Sequence, residues 1–185
     1  LSDVATRMGD YAPKDLAKAM DKSECHDAIA QAYKKYAKGA TLIFASSVHC
    51  CEEIAKRISG AVVVTGETKN RSKIIQAFTR REIPCIVNCM VFTEGTDIPL
   101  VETVIMARPT QSDSLYTQMV GRGLRLAQEK KELLLIDCVG VSSTRDLCCA
   151  PTLLGIDPPD GNKTPWENEI AEDLFDLPDM IAKDA

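Results

Sequence analysis

The chain has 185 residues and a formal net charge of −5, with 45% hydrophobic and 26% charged residues. That supplies one packed domain with a short appendage and excludes disorder as a description of the whole chain. No apolar run approaches the ~20 residues of a membrane-spanning helix, so no membrane partner is expected.

Residues 1–22 read as a lead-in segment. They open on Leu1 rather than Met and lack a signal-peptide layout, as expected of an excerpt from a longer protein. Ser23 is the expected N-cap of a helix running to about Lys38, with Ile29, Ala32, Tyr33 and Tyr36 at helical spacing and Gly39 as its stop. Thr41–Ala45 is a short apolar strand. Ser46 and Ser47 then open a helix that places Cys51, Ile54, Ala55 and Ile58 on one face. Ala61–Thr65, rich in valine, is the next strand, and Ser72–Arg81 a helix burying Ile74, Ile75 and Phe78.

Ile83–Cys89, Thr103–Ala107 and Leu133–Asp137 complete the strands, with a helix over Ser114–Leu126 between the last two. Strands that are apolar throughout and alternate with amphipathic helices predict a parallel α/β sheet covered on both faces. In such a sheet the functional loops are expected at the carboxyl ends of the strands. The domain is expected over residues 23–154, a Pro/Gly/Asp-rich linker over 155–165, and an acidic segment over 166–185 that starts a further element. Residues 157–185 hold 9 acidic and 2 basic side chains, a charge of −7, which leaves +2 on the rest. A near-neutral body can hold a local basic cleft, so composition decides neither for nor against nucleic acid.

The 8 cysteines form no C-x-x-C, and only two histidines, His26 and His49, could join a metal site. The thiols are expected to be reduced core residues, with cytoplasm as the compartment and no metal. His49 is expected at a helix start without a partner. The string Ser23-Glu24-Cys25-His26 has a superficial likeness to a D-E-x-H box but lacks its first Asp and its preceding strand, so it is read as coincidence.

Two clusters carry chemistry. TEGTDIP (Thr93–Pro99) offers a glycine between hydroxyl residues for close backbone approach to a phosphate, and a carboxylate, Asp97, suited to a ribose hydroxyl. QMVGRGLR (Gln118–Arg125) puts Gln118, Arg122 and Arg125 on one helical face, where two guanidiniums make an anion clamp. Gly121 and Gly123 each cost the helix roughly 1 kcal/mol relative to Ala, a cost expected where another surface comes close.

With Thr41–Ser46, Val64–Thr68 and ARPTQS (Ala107–Ser112), these strings resemble the second RecA-like domain of superfamily 2 DEAD/DEAH-type helicases. The subgroup most resembled holds XPB-like helicases and the translocase subunits of restriction enzymes. The resemblance implies a RecA-like, P-loop NTPase-type α/β fold serving ATP-driven movement on nucleic acid, with DNA favoured over RNA. It implies Arg125 as the arginine finger, with Arg122 and Gln118 in the same catalytic cleft. Gly95 and Asp97 would meet ATP, while Ser46, Gly66, Arg71 and Thr93 would contact a nucleic-acid strand. Many relatives carry a strand-contacting Thr where Cys89 stands here. No G-x-x-x-x-G-K-[ST] loop occurs, so the half that holds most of ATP and Mg²⁺ is expected in an upstream RecA-like domain of the same protein. The rival reading is a nucleotide-independent module that docks nucleic acid or a partner on the same scaffold.

Overall fold

The computed structural model describes residues 4–7, 9–92, 98, 101–123 and 132–138. A small antiparallel pair, β1 (Thr6–Arg7) and β2 (Asp10–Tyr11), precedes α1 (Pro13–Met20) and α2 (Ser23–Tyr36). Then follow β3 (Thr41–Ala45), α3 (Val48–Lys56), β4 (Ala61–Val64), α4 (Arg71–Thr79), β5 (Cys85–Asn88), β6 (Thr103–Ala107), α5 (Asp113–Gly123) and β7 (Leu134–Asp137). The five strands β3 to β7 form one parallel sheet in the order β4-β5-β3-β6-β7.

Alternation along β3 decides what each face buries. Leu42 and Phe44 join Phe78 of α4 and Tyr116, Met119 and Val120 of α5 in one core. Ile43 and Ala45 join Ile29 of α2 and Cys50, Cys51 and Ile54 of α3 in the other. Helices therefore cover both faces, which is why central strands carry no polar alternation.

The strands and four of the helices lie where the sequence places them, within two residues at each described end. Three local features have physical reasons. Ser23 is the first residue of α2 rather than its cap; its hydroxyl accepts a hydrogen bond from Arg57 Nη2 at 3.1 Å instead. At Gly39 the backbone is left-handed, with φ of +61°, and a Cβ would collide with the Glu102 carboxylate, so the turn into β3 admits glycine. The lead-in is structured: Tyr11 and Leu16 are buried in a cluster of their own with Val4 and Met20. The expected linker and acidic segment lie outside the described residues.

Among the described residues Cys25, Cys50, Cys51, Cys85, Cys89 and Cys138 are all free thiols. Burial pushes the Cys51 and Cys85 thiols up, and that of Cys138 to about 12, so these behave as small core residues rather than nucleophiles. His49 is not partnerless as expected. Its Nε2 lies 3.4 Å from Asp21 Oδ1 at the end of α1, and the buried His26 Nε2 lies 3.6 Å from the same oxygen.

Candidate functional site

At the carboxyl edge of the sheet, Ser46 and Arg108 each follow directly on the register pair Ala45↔Ala107, the last residues of β3 and β6. Ser46 is buried, and the Cys50 thiol beside its hydroxyl is only a weak partner. On the other flank the end of β4 lies two strands from β3, a span of about 10 Å. There Thr65 and Thr68 close a turn by exchanging hydrogen bonds, Thr65 N–H to Thr68 Oγ1 at 2.9 Å and Thr68 N–H to Thr65 O at 3.2 Å. Arg71 Nη2 donates to Gly66 O, which joins two of the expected strand-contacting residues in one unit. A Cβ on Gly66 would meet nothing within 4 Å, so this turn presents bare backbone outward.

The α5 helix has two distinct sides. Tyr116, Met119, Val120 and Gly123 are buried at helical spacing. Ser114, Gln118 and Arg122 run along the other side at four-residue steps, and Gln118 Nε2 contacts Ser114 Oγ at 3.4 Å. A Cβ on Gly121 would find open space, whereas one on Gly123 would come within 2.6 Å of Leu133 and 2.7 Å of Val104. The expectation that both glycines admit another surface therefore divides. Gly123 admits this domain's own sheet, and only Gly121 faces outward.

The same contacts locate Arg122. Val104 is the second residue of β6 and Leu133 immediately precedes β7, so the end of α5 reaches the amino edge of the sheet. The helix of 11 residues, about 16 Å long, thus carries Arg122 to the edge opposite Ser46 and Gly66. Ser46 and Gly66 follow the carboxyl ends of β3 and β4, where functional loops are expected, and Arg122 does not lie at such an end. Crossing back over the sheet is what a helix between parallel strands must do. Thr93, Gly95, Asp97 and Arg125 lie outside the described residues.

Sequence reasoning assigned no role to Arg108 or Asp10. Arg108 is 4% exposed, and its Nη2 donates to Asp10 Oδ2 at 3.1 Å, while Asp10 Oδ1 accepts from Gln111 N–H at 3.0 Å. The Arg108 guanidinium also opposes the upward push of burial on the Cys89 thiol, which follows β5 at the same carboxyl edge of the sheet. An arginine directly continuing the buried strand run Thr103–Ala107 was the available signal. Its partner, 98 residues earlier, gave none.

Residues 23–127, more than half of the chain, match the family described as the helicase conserved C-terminal domain. The chain belongs to this family. This helicase C-terminal domain is 36% identical over 194 residues to the Saccharomyces cerevisiae protein named "Putative ATP-dependent helicase IRC3", across 99% of the chain and 28% of that protein. It is 39% identical over 127 residues to the Schizosaccharomyces pombe protein named "Putative mitochondrial ATP-dependent helicase irc3", across 65% of the chain and 21% of that protein. The chain thus spans about a quarter of the length of these relatives. A fragment described as an HsdR subunit of a type I restriction enzyme from Vibrio vulnificus superposes with a TM-score of 0.58 at 21% identity, over 76% of this chain and 30% of that one. The parallel sheet of the helicase C-terminal domain is thereby the RecA-like one expected. The mitochondrial name of one relative does not bear out the cytoplasmic expectation. Among the described residues no helix is long and apolar enough to cross a membrane.

Proposed function

We propose that this domain is the second motor lobe of an ATP-dependent helicase or translocase acting on nucleic acid, with DNA favoured. The observation that carries the reading is the polar side of α5, where Gln118 and Arg122 flank the open Gly121 at one end of a domain of this family. A guanidinium holds charge at every working pH and engages phosphate oxygens in a planar fork, so the residues present fit a triphosphate.

In this reading Arg125 is the arginine finger aimed at the γ-phosphate, Arg122 the second phosphate contact, and Gln118 lines the same cleft. Gly95 approaches the nucleotide and Asp97 accepts from its ribose. Mg²⁺, where bound, neutralises phosphate charge and is held mainly by the upstream RecA-like lobe. Ser46, Gly66, Arg71 and Thr93 meet the strand backbone, so sequence preference is slight. The position of Arg122 at the edge opposite Ser46 and Gly66 supports a motor: closing on nucleotide at Arg122 shifts backbone contacts across the domain.

The test is strand-stimulated ATP turnover by the full-length protein on single-stranded DNA, duplex DNA and RNA. Arg122→Ala and Arg125→Ala are expected to lower kcat, the finger by about 10³-fold or more. Unchanged turnover in Arg125→Ala would leave the nucleotide-independent docking module as the better account.

A further inference from the structure

We propose that Asp10, in the lead-in hairpin outside the matched family region, is a positioning residue that sets the placement of α5 and hence of Arg122. The proposal rests on the reading of α5 given above. One carboxylate holds both ends of the connection from β6 to α5: Oδ2 takes Arg108 at its start and Oδ1 takes the Gln111 N–H at its end. A guanidinium as buried as that of Arg108 persists only when paired, so the contact is not an incidental surface pair. The helix begins at once. Ser112 Oγ accepts from Leu115 N–H at 3.3 Å and Ser112 O from Tyr116 N–H at 3.0 Å.

Because α5 is a stiff rod of about 16 Å, a tilt of about 4° where it starts moves its far end by about 1 Å. Displacement on that scale can cost as much as about 100-fold in rate. The hairpin is a suitable anchor. Ala12 N–H bonds Ala5 O at 2.7 Å, Tyr11 beside Asp10 is buried, and Asp21 ties the far end of α1 to His49.

Asp10→Ala, Asp10→Asn and Arg122→Ala should be compared in the full-length protein, with ATP, a nucleic-acid strand, ADP and ADP–aluminium fluoride. Asp10→Ala is expected to lower kcat by about 10- to 100-fold, with KM for ATP within about threefold. Affinity for ADP–aluminium fluoride falls relative to ADP, as a merely loosened fold would not make it do. Asp10→Asn keeps the shape and an acceptor for Gln111, so its loss is smaller, and it serves if the alanine variant does not fold. Wild-type kcat in both Asp10 variants, or slow turnover with an unchanged affinity ratio and a lowered Tm, overturns the role of Asp10 alone. Normal turnover in Arg122→Ala overturns the reading of α5 and this proposal together.

Discussion

Gly121 and Gly123 are spaced two apart on α5 and carry the same helix cost, yet they have different neighbours. At Gly123 the obstructing atoms include Cγ2 of Val104, a buried β-branched residue within a central part of the sheet, which cannot rotate aside as the Leu133 methyls can. Gly123→Ala is expected to destabilise the domain by about 1–3 kcal/mol through overpacking, offset in part by better helix propensity. Gly121→Ala is expected to leave stability unchanged or raise it by up to about 1 kcal/mol, since its Cβ enters open space. Urea midpoints of the two variants check both signs. Sequence alone could count the glycines and their cost, but not separate them, because the difference lies in atoms on β6 and before β7.

At the scale of elements, the junction of α1, α2 and α3 is where charge meets burial. Arg57, the cap at the end of α3, binds Asp27 of α2 at 2.6 Å and Glu53 of α3 at 2.9 Å, joining the two helices at their exposed rim. Beneath them His26 is buried, and desolvation lowers its pKa below 6.5, opposed by Asp21 and Glu53 and reinforced by Arg57 and His49. The folded state therefore binds its proton later than the unfolded chain as pH falls. The stability that His26 contributes is complete above about 6.5 and declines below it. His26→Gln is expected to flatten the dependence of unfolding free energy on pH between about 7.5 and about 5.5, measured by denaturant titration. A variant as steep as wild type would assign that slope to other groups. Helices α2 and α3 were legible from apolar spacing, whereas residues 1–22 were read only as a lead-in and α1 was not. The junction was not, since His49 meets a carboxylate 28 positions earlier in the chain.

For the whole molecule, α5 crosses the sheet and sets Arg122 at the edge opposite Ser46 and Gly66, and in the proposed motor an upstream lobe completes the nucleotide site. Residues 1–185 alone are accordingly expected to release no measurable phosphate from ATP and Mg²⁺, with or without added strand; robust hydrolysis would show that the chain holds a full site. Much of this architecture was already determined by the order of amino acids. Runs such as Leu42–Ala45 and Val104–Ala107 are apolar at every position, the pattern of strands buried on both faces. The grouping of Gln118 with Arg122 follows from helical geometry over four residues. What tertiary structure alone decided are relations across long stretches of chain: Asp10 on Arg108, Gly123 against Val104, and Arg122 at the edge opposite Ser46. Local periodicity reports which side of an element faces inward. It carries no record of which distant backbone or carboxylate waits there, because that depends on strand order, and strand order is settled only when the sheet packs.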